Sequence, residues 1–328
     1  MQTLRPLLNN SALRIAAGVG VALIALWLAI RAVDLAQVFA ALQAANWLWV
    51  IAALLSVCLN VAAKVIRWRV LLGQSGLRTR WRDLLAALLV GQTLNWMLPG
   101  RAGDLSRAYT IGRLGAGSTF TLGTDALEKV FDTVAYALLF LFLLIVLPLP
   151  AWMADSGLTF GLLSVLMVGG VLLVAFFPAA IANLLSRLTL WLPEKIQLGF
   201  LQRLRAGFNS LAVIRQRAPL IQIAFWTLLV WITALLNNAL ILQALAIHTP
   251  WTASLAVLVV LQAGISLPSS PGRIGVFQYL CILALAWFDV SQTDGLTYGI
   301  LLQAVVFLPP TLLSLPFFAA PTRRMEQP

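Results

Sequence analysis

Asp125, Glu128, Lys129 and Asp132 stand at i, i+3, i+4 and i+7, a spacing that places all four on one face of a helix. The continuous apolar run Ala135–Leu147 follows directly, so part of the set is expected inside a bilayer. A charge at the bilayer centre costs roughly 2.5–3.5 kcal/mol even on the lenient insertion scale, so such groups must pair or face water. Arg101, Asp104, Arg107 and Arg113 lie just upstream and are the expected partners. One chemistry open to this set is a polar, mixed-charge cavity that binds a charged headgroup and relays protons. The other is a salt-bridge network that holds the neighbouring segment in place, and the two are compatible.

A second pattern occurs twice. Pro99-Gly100-Arg101-Ala102-Gly103 and Pro271-Gly272-Arg273-Ile274-Gly275 share P-G-R-x-G, each after an apolar segment and each opening a new helix. Proline at a helix start, with glycine allowing close backbone approach, leaves free N–H groups that can face an anion. The arginine in each copy adds charge-assisted bonds suited to phosphate. Chance recurrence of a five-residue turn is the plain alternative. Its position in two helical hairpins of opposite entry favours an inverted-topology repeat, whose interrupted helices form a substrate site near the midplane.

The elements that must carry these residues are membrane spans. Hydrophobic residues make up 61% of the 328 residues and charged residues 10%, and mean hydropathy is +0.93; soluble domains average nearer ~45–50% and ~25%. The apolar residues come in runs, among them Ile15–Ile30, Trp47–Cys58, Gly161–Phe177 and Ile223–Leu236. A spanning helix needs roughly 20 such residues, whereas barrel strands are short and alternating. The expected fold is therefore an all-α polytopic membrane protein, a single transmembrane domain over residues 1–328. The net charge of +11 sits mostly between apolar runs, which is the positive-inside pattern rather than a nucleic-acid surface. It also favours contact with anionic lipid headgroups. Cys58 and Cys281 both lie in apolar runs and are read as packing residues, with no disulfide or metal framework. The N-terminal apolar segment lacks a clear cleavage site and is read as an uncleaved span.

Spans are expected near 12–32, 46–66, 119–149, 158–178, 219–245 and 297–318. Lys64, Arg67, Arg69, Arg78, Arg80 and Arg82 are read as a basic cytoplasmic loop, and 179–218 as amphipathic cytoplasmic helices. The loop 150–157 and the Asp289/Asp294 linker, both without Lys or Arg, are placed outside. If residues 84–98 crossed fully, the basic 179–218 segment would be periplasmic. The conflict disappears if 84–117 enters and returns as a hairpin, buried in protein or lining a cavity as broken helices must be. The expectation is six full spans plus two helical hairpins (84–117 and 251–288, re-entrant or short-span). Both termini are then cytoplasmic, with repeat halves 46–150 and 219–318. His248 by Pro250 reads more simply as an interfacial residue and the twelve tryptophans as an aromatic belt, while Asn60, Gln92, Asn95, Asn237 and Asn238 fit helix–helix contacts as readily as substrate contacts.

Three stretches carry a family resemblance over nearly the whole chain. Pro99-Gly100-Arg101-Ala102-Gly103-Asp104-Leu105-Ser106-Arg107-Ala108-Tyr109 resembles a P-x-R-x-G-[ED]-x-x-R-x-Y element, and Glu128-Lys129-Val130-Phe131-Asp132 an E-[RK]-x-x-D element. Leu267 to Gln278 resembles a P-x-S-P-G-G-x-G-x-x-E element. Together, in this order, they resemble the lysylphosphatidylglycerol synthetase membrane region, or flippase-like domain family. The resemblance implies a multi-pass protein of the bacterial inner membrane that moves an anionic or aminoacylated phospholipid between leaflets. Two departures stand out: Arg273 replaces the second glycine of the last element, and Gln278 its terminal glutamate. An added cation and a lost carboxylate point to a more anionic substrate. The soluble aminoacyl-transferase domain of some members is not expected after Arg324.

The expected substrate-binding residues are Arg101, Arg107, Arg273, Gly100, Gly103, Gly272 and Gly275. Asp104, Asp125, Glu128, Lys129, Asp132 and Gln278 form the expected charge network and coupling set. No metal and no cofactor are expected. Partners are membrane lipids, either an anionic phospholipid or a polyisoprenyl-phosphate-linked lipid, and no nucleic acid. With no nucleophile–base pair, metal cluster or nucleotide loop in the sequence, an enzyme is not expected. The competing reading is a non-catalytic partner that anchors a cytoplasmic lipid-modifying enzyme or glycosyltransferase.

Overall fold

A computed structural model describes residues 35–76, 79–98, 102–147, 165–166, 169–189, 194–265 and 271–319. The described residues contain helices and no strands. In chain order the helices are α1 (Leu35–Gln43), α2 (Trp47–Leu72), α3 (Trp81–Met97), α4 (Ala102–Ile111) and α5 (Ser118–Val146). They continue with α6 (Gly169–Phe176), α7 (Pro178–Leu188), α8 (Glu194–Ser210), α9 (Arg217–Ala244), α10 (Trp251–Ile265), α11 (Val276–Leu285) and α12 (Gln292–Ala319).

Among these, α2, α5, α9 and α12 are long and apolar enough to cross a membrane, and α6 with α7 makes a fifth if that pair is one span bent by 98°. The chain is thus a multi-pass α-helical membrane protein. Leu55, Leu138, Ile145, Ile221 and Leu312 point outward on the long helices, as lipid-facing residues do where every backbone group is satisfied within the helix. Helix α2 has no glycine or proline over 26 residues and stops at Gly73, after which Gly76 takes a left-handed φ of 71°. Helix α5 stops because Leu147, at φ −123° and ψ 134°, precedes Pro148 and is pushed to extended backbone.

Several expectations change. Between the first two expected spans the chain is helical, with α1 over Leu35–Gln43. Span two does not end near 66; it runs to Leu72 and carries Lys64, Arg67 and Arg69 on helix, so these three are not loop residues. Of the span expected at 158–178, residues 165–166 and 169–178 are described, and the chain turns sharply at Phe177 into α7. The first expected span, 12–32, lies outside the described residues, as does 150–157. In the second hairpin, α10 has 15 residues and α11 has 10. At 1.5 Å per residue neither reaches the ~30 Å of a hydrocarbon core. Helix α10 is nonetheless buried all round, with Ala253, Leu255, Ala256, Val257, Val259 and Leu261 each under a tenth exposed. A helix apolar on every side and covered on every side is interior to protein.

Two compact units divide the chain. The first comprises Met1–Cys58, Leu94–Gly100 and Thr233–Pro310, and the second Leu59–Thr93, Arg101–Ile232 and Thr311–Pro328. Within the first, Asn46 N–H donates to the Ala244 carbonyl at 2.8 Å, Asn238 Nδ2 to the Ser254 carbonyl at 3.3 Å, and the Tyr298 hydroxyl to Asn238 Oδ1 at 3.2 Å. The Asn238 side chain thus acts between helices. The core of the second is built from Val65, Trp68, Leu71, Leu84, Ile111 and Leu127 with their neighbours.

In the second unit α8 packs along α5, so this part of the basic segment 179–218 is docked on a spanning helix. The approach is backbone to backbone: a Cβ added at Gly123 would lie 2.8 Å from the Gly207 carbonyl oxygen. Gly123→Val therefore forces the two helices apart and is expected to cost about 1–3 kcal/mol, the usual range for overpacking. Thermal melting of the detergent-solubilised variant, with Gly199→Val as the control in open space, measures it.

Candidate functional site

The four-residue charged face of α5 is where the sequence places it, and Asp125, Glu128 and Asp132 turn into the second unit. Glu128 is the hub. Its Oε1 accepts from Arg67 Nη2 at 2.7 Å and its Oε2 from Arg107 Nη2 at 2.8 Å. Arg67 also donates from Nη1 to Asp132 Oδ1 at 2.6 Å and to Thr227 Oγ1 at 3.1 Å, and from Nη2 to Asp132 Oδ2 at 3.2 Å. Arg107 Nη2 comes within 3.1 Å of Asp125 Oδ1, and its guanidinium lies 4.1 Å from the centre of the Trp68 ring. Trp68 in turn donates from Nε1 to Thr124 at 3.2 Å. A single network therefore ties α2, α4, α5 and α9 together.

Burial decides what this arrangement is worth. The Arg67 side chain is 0% exposed and that of Glu128 5%, whereas Asp132 keeps 27%. Two guanidinium groups and three carboxylates so placed lie within pairing distance of one another in a low-dielectric setting, where a lone charge is costly. The planar fork of arginine makes it possible, since one Arg67 reaches three acceptor groups. A glycine makes room for the other. A Cβ at Gly91 of α3 would lie 2.6 Å from Arg107 Cγ, so α3 must be bare where Arg107 crosses it.

This assigns several expected residues. Arg107, expected at a phosphate, is buried inside the ion network with Glu128 and Asp125. Asp104 is half-buried one turn before it on α4, and Gly103 is buried. Lys129 is half-buried and forms no ion pair within 4 Å among the described residues. Arg113, expected as a partner, donates instead to the Tyr109 hydroxyl at 2.7 Å on an exposed surface. Gly100 and Arg101 lie outside the described residues. Arg67 is the residue that sequence reasoning missed, being counted with the basic loop. The signal was present, because Val65, Trp68, Leu71 and Leu72 continue the helical apolar face on both sides of it.

The second P-G-R-x-G copy is a strained turn in the first unit. Gly272 (φ 72°), Arg273 (φ 55°) and Gly275 (φ 88°) all take positive φ. A left-handed conformation at a non-glycine residue costs roughly 1–2 kcal/mol, so the surroundings must impose it on Arg273. The Gly272 carbonyl accepts from Trp96 Nε1 at 2.8 Å and from Gln303 Nε2 at 2.7 Å. Trp96 is itself fixed by stacking on Phe307, with ring centres 5.0 Å apart. Gly275 N–H donates to Gln278 Oε1 at 2.8 Å, and Gln278 Nε2 donates to Gln303 Oε1. This corrects two expectations. The helix-opening N–H of Gly275 is capped by Gln278 rather than left free for an anion, and Gln278 carries no charge into a coupling set. Arg273 is half-buried at the apex. Of the two cysteines, Cys281 is buried as expected and Cys58 is exposed.

An all-α, multi-pass chain with a buried ion network and a broken helix pair is a membrane-domain protein, and its family follows. Residues 15–314 match the lysylphosphatidylglycerol synthase TM region, and the chain belongs to that family. It is also similar to Glycosyltransferase AglD of Haloferax volcanii, with 31% identity over 136 residues. That match covers 41% of this chain, and the chain spans only 22% of that protein's length. No solved structure matches the chain.

Proposed function

We propose that this protein is a lipid flippase or scramblase that moves an anionic, phosphate-bearing lipid between the leaflets of a bacterial inner membrane. The observation that carries the reading is the pair of short helices α10 and α11, buried in protein and meeting at a strained arginine turn. Broken helices at membrane depth are tolerated where they are covered by protein or line a cavity, and transporters use them to build substrate sites. Arg273 and Arg101, the arginines of the two P-G-R-x-G sequences, are each assigned as a phosphate ligand, a guanidinium matched to phosphate. Asp104, Asp125, Glu128, Lys129 and Asp132 compensate charge, with Glu128 fixed between Arg67 and Arg107. The chain has six spans and two hairpins in inverted repeat, with both termini cytoplasmic. It is not an enzyme, and movement is passive or ion-coupled. The lipid is an anionic phospholipid or a polyisoprenyl-phosphate-linked lipid.

Leaflet exchange of fluorescent lipids in proteoliposomes tests this across a headgroup panel. Arg101→Ala combined with Arg273→Ala is expected to abolish exchange of anionic lipid while leaving expression and melting unchanged. Normal exchange in the double variant would remove the proposal. The second reading, a membrane anchor for a lipid-modifying enzyme or glycosyltransferase, is favoured by the 136 residues shared with Glycosyltransferase AglD. Co-purification of such an enzyme with a chain that moves no lipid would select it.

A further inference from the structure

The bonds around the arginine turn have a direction. At one end is a fixed donor, the N–H of Gly275; at the other is a fixed acceptor, the carbonyl of Gly272. Gln278 accepts from the first and donates to Gln303, and Gln303 donates onward to the second. A path from a backbone donor to a backbone acceptor closes only if every intermediate group accepts on one side and donates on the other. Carboxamides do this and carboxylates do not. Gln278 and Gln303 are both under a tenth exposed, so water cannot readily replace a lost link. Two further contacts hold the assembly in place. Gly299 of α12 is bare where Gln278 passes, a Cβ there lying 3.1 Å from Gln278 Cα, and Trp96 adds a second donor to Gly272.

We propose that Gln278 and Gln303 form a directional amide relay that holds Gly272 and Arg273 in their left-handed turn and thereby positions Arg273 for the phosphate of an anionic lipid. The ligand in this statement rests on the transport reading above; the relay itself does not. Both are positioning residues. The identity that matters belongs to the pair. Gln278→Glu keeps the cap on Gly275 but has nothing to donate to Gln303. Gln303 then turns its amino group toward the carboxylate and its oxygen toward the Gly272 carbonyl. Gln303→Lys alone presents an ammonium to the Gln278 amino group. In the double variant, the carboxylate at 278 accepts from Gly275 and from the ammonium at 303, which also donates to Gly272, so the path closes again.

The test uses the full chain in vesicles of phosphatidylcholine with fluorescent phosphatidylglycerol, and follows deuterium uptake over residues 271–280 alongside lipid exchange. Gln278→Glu and Gln303→Lys are each expected to speed uptake by about tenfold, the factor that losing one buried hydrogen bond implies. Each should also raise the half-saturating lipid concentration by a similar factor, with the maximal rate little changed. The Gln278→Glu/Gln303→Lys protein should return both toward wild type, a coupling that a general packing defect does not produce. Gln303→Leu, similar in size and without a donor, serves if the charged single variants do not fold. Unchanged uptake in the single variants, or no recovery in the double, overturns the relay. Wild-type protein that exchanges no lipid overturns the transport reading, and with it the ligand assigned to Arg273, while deuterium uptake still decides the relay.

Discussion

Glu128→Ala is expected to destabilise the protein by about 3–5 kcal/mol, the range found when one partner of a buried ion pair is removed and the other stays behind. The loss is large because Glu128 serves two arginines at once, through Oε1 to Arg67 and Oε2 to Arg107. Without it, Arg107 is left with Asp125, at 3.1 Å, and the contact with the Trp68 ring. Arg67 keeps Asp132, which is partly open to the surroundings. Glu128→Gln should cost less, since one oxygen still accepts, but its amino group then faces a guanidinium. Lys129→Ala, adjacent in sequence and half-buried without a close ion pair, should stay within about 0.5 kcal/mol, as substitutions away from such features usually do. Thermal melting in detergent, with size-exclusion profiles as a check on folding, separates these outcomes. A Glu128→Ala protein that melts with wild type would show that the network does not hold α2, α4 and α5 together.

Arg67→Lys is the second large effect, although charge is conserved. The guanidinium spreads four hydrogen bonds over Asp132, Thr227 and Glu128, from two nitrogens held at a fixed angle. An ammonium is a single point at the end of a flexible stem and cannot reach both carboxylates and Thr227 together. The expected loss is about 1.5–3 kcal/mol, the worth of a hydrogen bond to a charged group. It should be seen as a lower melting temperature, and faster proteolysis where α9 meets α2 is its local signature. Thr227→Val isolates the neutral contact and should cost less, since that bond, at 3.1 Å, is neutral on one side. If Arg67→Lys melts like wild type, fork geometry is not what fixes Arg67, and charge alone suffices.

The sequence by itself determined the class of fold and the face on which the chemistry lies. Apolar runs of spanning length have one economical solution in lipid, the helix, so α2, α5, α9 and α12 were legible from composition and length. Spacing along one helix is equally local, and Asp125, Glu128 and Asp132 share a face because 3.6 residues make a turn. The glycine turn at 271–275 was legible for the same reason: proline and glycine constrain backbone wherever they occur.

Partners were not legible, because which helix meets which is decided at distances no local rule reaches. Arg67 pairs with a residue 61 positions away; the apolar residues around it place it on a helix but cannot name that partner. Arg113 is the converse case, close to the acidic face in sequence and turned toward Tyr109 instead. Gln278 could have been read as a ligand, a lost carboxylate or a cap. Only the position of Gln303, on a helix reached through another turn, makes it a link with a direction. Burial made the difference in each case, since it turns an ordinary polar side chain into one whose every hydrogen bond must be accounted for.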